Sequence, residues 1–159
     1  MARIKLIDFL IGSDHRGLEL KEYLLKHICP LDDDDEPTRY NICTLKDVGT
    51  YTSKRCNYPD IVKKFAYDFD IYTHGILICG SGFGVGMAAN RFKHIRAATC
   101  RTVKEVEMAR KHNDINVLCL GADFTTKSKS IDLVKAFFKT PFEKGRHLKR
   151  VNILKNINK

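Results

Sequence analysis

The segment ILICGSGFGVGMAAN, residues 76–90, decides the fold. It begins with an apolar run that has the length of a buried strand, and a glycine then stands at every second position from Gly80 to Gly86. The residues after the glycines have a helical pattern. A strand, a glycine-rich turn and a helix in this order are typical of α/β proteins built on a parallel sheet.

The same alternation of short apolar runs and amphipathic stretches extends over the 159 residues. The predicted strands span residues 6–13, 41–48, 75–79, 95–100 and 115–120. The predicted helices span residues 18–28, 58–71, 85–92, 103–112 and 128–138. We therefore expect a single domain, 1–159, with a Rossmann-like or flavodoxin-like three-layer sandwich, a five-stranded parallel sheet and a helical tail over 139–159.

In such sheets ligands bind at the carboxyl ends of the strands. Asp14 and His15 follow the first predicted strand, Ser81 follows Cys79, and residues 112–114 precede the last strand. We expect all of these polar residues at the same rim of the sheet.

Successive glycines let backbone N–H groups turn toward an anion, and a following helix N-terminus adds a favourable dipole. The spacing excludes two familiar nucleotide motifs, because G-x-G-x-x-G would need glycine at Val85 or Met87 and no G-K-[ST] follows. The loop therefore indicates an anion site, with a tight turn that binds nothing as the alternative.

Cys79 ends the predicted strand at the start of this loop. A thiol beside backbone amides and a helix N-terminus ionises more readily and can act as base or nucleophile, whereas inert packing is the common fate of a single cysteine. The six cysteines show no spacing typical of zinc ligands, so we expect no metal and no cofactor.

The 28 basic and 19 acidic residues give a formal net charge of +9. Residues 139–159 hold seven basic residues and one acidic residue, whereas residues 32–36 form an acidic run that reads as a solvated loop. The basic tail raises nucleic-acid binding as an alternative, but no recognition motif is present and Phe142 is its only aromatic residue. With no apolar run long enough to span a membrane and no cleavage site near Met1, we expect a cytoplasmic protein that binds neither nucleic acid nor membrane.

Five motifs together carry a resemblance to a known family. They are GSDHRG at 12–17, DVGT at 47–50 with NYP at 57–59, ICGSGFG at 78–84, RKHND at 110–114 and GRHLKR at 145–150. In this order, over nearly the whole chain, they closely resemble ribose-5-phosphate isomerase type B, in the family shared with galactose-6-phosphate isomerase.

The resemblance implies an aldose–ketose isomerase of the pentose phosphate pathway, in its non-oxidative branch, that works through an enediolate. Cys79 would be the base, Ser81 and the amides of the glycine loop would hold the enediolate oxygen, and His112 with Asp14 would open the sugar ring. The implied substrate-binding residues are His15, Tyr58, Gly80, Gly82, Gly84, Asn113, Arg146 and Arg150.

The resemblance also implies a homodimer, alone or paired into a tetramer, in which His112 and the tail arginines serve the partner's site. One departure stands out, because many members carry a phosphate-binding arginine where this chain has Asp123. We expect weaker phosphate binding unless Asp123 points away or Arg101 compensates. A six-carbon substrate (galactose 6-phosphate or allose 6-phosphate) and a catalytically impaired sugar-phosphate-binding relative are the alternatives.

Overall fold

A computed structural model of the protein describes residues 7–28 and 42–157, without the side chains of residues 42 and 43. Its centre is a sheet of five parallel strands in the order β2-β1-β3-β5-β4. The predicted α/β architecture with a five-stranded parallel sheet is confirmed. The acidic run 32–36 lies outside the described residues.

Strands and helices alternate along the chain up to the last two helices. The strands are β1 (Ile7–Ser13), β2 (Ile42–Asp47), β3 (His74–Cys79), β4 (Ala97–Thr99) and β5 (Val117–Gly121). The helices are α1 (Leu18–Ile28), α2 (Tyr58–Asp68), α3 (Phe83–Ala89), α4 (Val103–Asn113), α5 (Lys127–Lys139) and α6 (Gly145–Lys155), and a 3-10 turn (Phe69–Ile71) follows α2.

Two of these bounds differ from the sequence predictions in a way that matters for the site. Helix α3 begins at Phe83 and not at residue 85, so Gly84 belongs to its first turn. The edge strand β4 is three residues long, because pairing with β5 is confined to Ala97–Thr99 within the predicted 95–100.

Side chains of the central strands alternate between two cores, one on each face of the sheet. Phe9 and Ile76 pack with residues of α1 and α5 on one face. Leu10 and Leu77 pack with residues of α2 and α3 on the other face. This division explains the nearly continuous apolar strands, because both faces of the sheet are covered.

A buried ion pair anchors the segment that follows β2. Lys21 of α1 is 1% exposed, and its Nζ donates to both carboxylate oxygens of Asp47 at 2.8 Å and to the Thr50 carbonyl at 2.6 Å. Asp47 also accepts from the Gly49 N–H at 2.8 Å. The pair therefore ties α1 to the loop that leads to Tyr58.

Replacing Lys21 by methionine leaves the Asp47 carboxylate without its buried cation. We expect a loss of about 3 kcal/mol in the free energy of unfolding, which lowers the melting temperature by roughly 6–12 °C. Thermal unfolding, followed by circular dichroism, measures the change in melting temperature. Lys46→Met is the matched control, because Lys46 bonds Asp68 at 2.9 Å on the surface and should have no measurable effect. Equal losses in the two variants would contradict a structural role for the buried pair.

The crossover helices decide which residues lie at which edge of the sheet. Helix α4 leaves the carboxyl end of β4 and returns to the start of β5, so its C-terminal turn lies at the amino edge of the sheet. Helix α6 packs on α4. Within the described residues, no helix is both long and apolar enough for a membrane span.

Candidate functional site

The carboxyl ends of β1 and β3 bring together one group of predicted site residues, which we call the carboxyl-edge cluster. It comprises Asp14, His15, Tyr58 and the segment 79–84. The Asp14 N–H donates to the Ile78 carbonyl at 3.0 Å, which fixes the end of β1 beside Cys79. The structure thus places these predicted residues at one edge.

Cys79 is the last residue of β3 and is 4% exposed. Its Sγ accepts a hydrogen bond from the Gly82 N–H at 3.1 Å. Gly82 has φ = 81°, a left-handed conformation that glycine adopts without strain. This turn folds the chain back over the sulfur and directs a backbone donor at Sγ.

The glycine loop has backbone amides that are free to bind a ligand. The N–H groups of Ser81 and Gly84 have no acceptor among the described residues. The Thr99 hydroxyl donates to the Gly82 carbonyl at 2.9 Å, and the Asp123 N–H donates to the Gly80 carbonyl at 2.9 Å, so the loop is held from both sides. A fixed loop with free N–H groups can stabilise an oxyanion.

Asp14 and His15 are oriented by backbone groups. The Oδ1 atom of buried Asp14 accepts from the N–H groups of Arg16 and Gly17 at 2.9 and 3.0 Å, ahead of α1. His15 Nδ1 accepts from the Cys56 N–H at 3.3 Å, which assigns the proton of the neutral ring to Nε2. His15 can therefore donate a hydrogen bond to an anion.

Tyr58 closes one side of the cluster. A Cβ atom at Gly84 would lie 2.8 Å from Cζ of the Tyr58 ring, so the absence of a side chain there lets the ring rest on α3. Asp14, His15 and Tyr58 line the same open cleft of about 470 Å³ with Arg55 and Asn57. The cleft has the size of a pocket for a small polar ligand.

Asp123 does not stand alone at this edge. Its Oδ2 atom accepts from Arg16 Nη2 at 2.6 Å, and both side chains are largely exposed. A Cβ at Gly80 would lie 2.6 Å from Arg16 Nε, so the pair lies directly over the glycine loop. The guanidinium of Arg101, the other residue considered as compensation, stacks between Phe83 and Phe124, 5.2 and 4.4 Å from their centroids.

The other predicted residues form a second group, the amino-edge cluster, which comprises His112, Asn113, Arg146 and Arg150. The expectation that residues 112–114 share a rim with Cys79 is wrong. They end α4, and that helix returns to the amino edge before β5, whose five residues span roughly 16 Å. Of the twelve predicted site residues, eight therefore lie at the carboxyl edge of one chain and four at its amino edge.

The sequence analysis missed two residues beside His112, Glu143 and His147, and both are counted with the amino-edge cluster. The rings of His112 and His147 stack with centroids 4.3 Å apart, and Glu143 lies 3.9 Å from each. Burial lowers the pKa of His147, and the charges of His112, Arg146 and Arg150 lower it further. The four-residue spacing of Glu143 and His147 was the available signal. The third residue of the group, His112, lies 31 residues before Glu143 in the chain, so the sequence did not link them.

Comparison with known proteins identifies relatives over almost the full length. The profile of the family described as Ribose/Galactose Isomerase matches residues 9–154. The chain is 32% identical to Ribose-5-phosphate isomerase B of Escherichia coli, over 90% of this chain and 91% of that protein. It is 40% identical to a Mycoplasma pneumoniae protein named "Probable ribose-5-phosphate isomerase B", over 89% and 88% of the two chains.

Solved structures give the same result at the level of the fold. Ribose-5-phosphate isomerase B from Mycoplasma genitalium, crystallised with bound ribulose-5-phosphate, superposes with a TM-score of 0.84 at 34% identity. The match covers 98% of this chain and 97% of that one. The ribose 5-phosphate isomerase of Thermotoga maritima also gives 0.84, at 33% identity, over 94% and 98% of the chains.

Proposed function

Because the chain belongs to the ribose/galactose isomerase family, we propose that it interconverts D-ribose 5-phosphate and D-ribulose 5-phosphate. This is the aldose–ketose step of the non-oxidative pentose phosphate pathway. The observation that carries the proposal is the Cys79 sulfur, which accepts the Gly82 N–H at the mouth of a glycine loop with free amides. The proposal treats residues 1–159 as one domain, located in the cytoplasm, that needs no cofactor.

The reaction moves one proton between two carbons. Cys79, as the thiolate, takes the proton from C2 of the open-chain aldose, and the C1 carbonyl oxygen becomes the oxygen of an enediolate. The same sulfur returns the proton to C1, the hydroxyl proton on the C2 oxygen passes to the C1 oxygen, and a carbonyl forms at C2. No net oxidant is consumed, because the substrate itself exchanges an aldehyde for a ketone.

The negative charge of the enediolate requires donors that are already in position. The amides of Ser81 and Gly84 are free among the described residues, and the Ser81 hydroxyl lies beside them. Such preorganised donors act at the oxygen where charge develops, which is usually the largest electrostatic contribution to a rate. Gly80 and Gly82 serve the same purpose by shaping the loop.

Ring opening and phosphate binding require residues of both clusters. We propose that Asp14 of one chain and His112 of the partner subunit act on the ring oxygen. Tyr58 and Asn113 contact the sugar. His15, with the tail arginines Arg146 and Arg150, would hold the phosphate. Because the two clusters lie at opposite edges of one sheet, a complete site needs a second copy of the chain.

A surface suited to that second copy borders the glycine loop. Phe83, Met87 and Phe124 are 51%, 65% and 53% exposed, and the short edge strand β4 lies beside them. Groups of exposed apolar side chains are typical of protein–protein interfaces. This face supports the proposed homodimer and would bring the partner's amino-edge cluster toward Cys79.

The Arg16–Asp123 pair argues against the alternative of a catalytically impaired relative. Arg16 neutralises the Asp123 carboxylate, which stands where many family members have a phosphate-binding arginine. We expect Arg16→Ala to raise KM for ribose 5-phosphate roughly fivefold, less at high salt, since the Asp123 charge then repels the phosphate. Steady-state kinetics at two ionic strengths measure the effect. Arg16→Ala combined with Asp123→Asn should return KM toward the wild-type value, and a double variant as weak as the single one would count against this explanation.

The six-carbon alternative is tested with the same purified protein. We expect kcat/KM for ribose 5-phosphate to exceed that for galactose 6-phosphate and allose 6-phosphate. A preference for a six-carbon substrate would overturn the substrate but keep the isomerase. Ligand-induced stabilisation with ribose 5-phosphate and no turnover on any of the three would favour the impaired relative.

A further inference from the structure

Three metal-ligating side chains of different chain segments meet in the amino-edge cluster. His112 is near the end of α4, Glu143 precedes α6, and His147 lies in the first turn of α6. The Glu143 Oε2 atom is 3.9 Å from Nε2 of each histidine, and the three ligand atoms all lie within 4.8 Å of one another. The proposed reaction uses His112 and gives Glu143 and His147 no task.

The backbone holds these residues together. The Glu143 N–H donates to the Lys111 carbonyl at 3.1 Å, which ties the segment before α6 to the turn of α4 that carries His112. The His147 N–H donates to the Lys144 carbonyl at 2.9 Å, and the His147 side chain is 8% exposed. The packing therefore fixes one imidazole, while the half-exposed His112 and the exposed Glu143 can adjust to it.

We propose that His112, Glu143 and His147 form a binding site for a divalent transition metal of the zinc type. Two imidazole nitrogens and one carboxylate oxygen are a ligand set that zinc accepts, with water in the fourth position, whereas Ca²⁺ and Mg²⁺ prefer oxygen ligands. Ligand atoms about 2.0–2.2 Å from a tetrahedral zinc stand roughly 3.4 Å apart. The separations of 3.9 Å from Glu143 need to shorten by about half an ångström.

Two local rearrangements accompany metal binding. The histidine rings are nearly parallel, at 8°, so the partly exposed ring of His112 must turn until its Nε2 lone pair converges with that of His147. The Arg146 Nε contact with His147 Nε2, at 3.5 Å, is at the outer limit of a hydrogen bond and is given up. Both changes are rearrangements of side chains.

Metal binding has a consequence for the reaction. A metal on His112 Nε2 occupies the lone pair with which this histidine would accept a proton during ring opening, so the metal-bound protein is inhibited. This consequence rests on the proposed function, whereas the binding site itself does not.

The binding site is tested with Co²⁺ added to the purified full chain and followed by absorption. We expect saturable binding of one Co²⁺ per chain, with d–d bands stronger than those of aqueous Co²⁺ and without the intense near-ultraviolet band of cobalt–thiolate bonds. Glu143→Gln and His147→Gln should each weaken binding at least tenfold. Asp70→Asn is the matched control, because Asp70 lies 3.7 Å from His94 with no third ligand among the described residues.

Absence of saturable binding would overturn the site. So would a thiolate band, or affinities that Glu143→Gln and His147→Gln leave unchanged. Circular dichroism of each variant identifies a loss of binding that comes from misfolding. If His147→Gln misfolds, Glu143→Gln decides the test, because Glu143 is exposed.

The inhibition is tested with Zn²⁺ in the isomerase assay. Zn²⁺ should inhibit the wild-type protein, and EDTA should reverse the inhibition. Glu143→Gln should have wild-type turnover in EDTA and should need at least tenfold more Zn²⁺ for the same inhibition. Equal Zn²⁺ sensitivity of the two proteins would overturn the inhibitory role. Co²⁺ binding without any turnover in EDTA would contradict the proposed function and support the metal site.

Discussion

Replacing Cys79 by alanine is expected to lower kcat for ribose 5-phosphate by about a thousandfold or more and to change KM by less than about threefold. The proposed base is removed, and proton-transfer groups contribute roughly a hundredfold to ten-thousandfold. Contacts to the phosphate and to the sugar hydroxyls come from other residues, so binding should persist. Steady-state kinetics and isothermal titration with ribose 5-phosphate measure the two effects.

Cys100→Ala is the matched control for this loss. Cys100 is also buried near a strand end, and burial, with a smaller effect of Glu105, raises the pKa of its thiol to about 11. It therefore stays protonated at neutral pH and cannot act as a base. Wild-type kcat is expected in Cys100→Ala, and a Cys79→Ala protein that kept more than a tenth of wild-type turnover would exclude the sulfur as the base.

The second large effect is expected from mixing two inactive variants. If each site combines Cys79 of one chain with His112 of its partner, a heterodimer of Cys79→Ala and His112→Asn chains contains one intact site and one doubly altered site. Random pairing of equal amounts makes half of the dimers heterodimers, so activity should return to about a quarter of the wild-type value. Each variant alone should retain at most about one per cent.

The mixing experiment uses coexpressed chains with two different tags, so that heterodimers are isolated and counted. Their rate per dimer should be about half that of wild type. Isolated heterodimers with no recovered activity would contradict a shared site. A mixture of Cys79→Ala and Cys79→Asn chains is the negative control, because none of its dimers contains an intact site.

Hydrophobic periodicity was sufficient to predict the order of strands and helices, because the strands are covered on both faces and the helices carry one apolar stripe. Helix ends were less well predicted. Gly84 was placed in the loop before the predicted helix 85–92, yet it lies in the first turn of α3, where Tyr58 packs against it. Tertiary packing outweighed local propensity there.

The site was predicted unevenly for a topological reason. Residues at the carboxyl ends of strands, such as Asp14 and Cys79, lie where the sequence indicated. His112 precedes a strand, and its position depends on the return path of α4, which periodicity does not reveal. The Arg16–Asp123 pair joins residues 107 positions apart, so only the fold brings them into contact.

The most direct test of the proposed function is the conversion of ribose 5-phosphate by the purified protein in D₂O, in the presence of EDTA, followed by NMR. We predict ribulose 5-phosphate with deuterium at C1, because the proton on the base exchanges with solvent between abstraction and return, and no product with Cys79→Ala. A folded wild-type protein that forms no ribulose 5-phosphate, or forms it equally well without Cys79, would contradict the account.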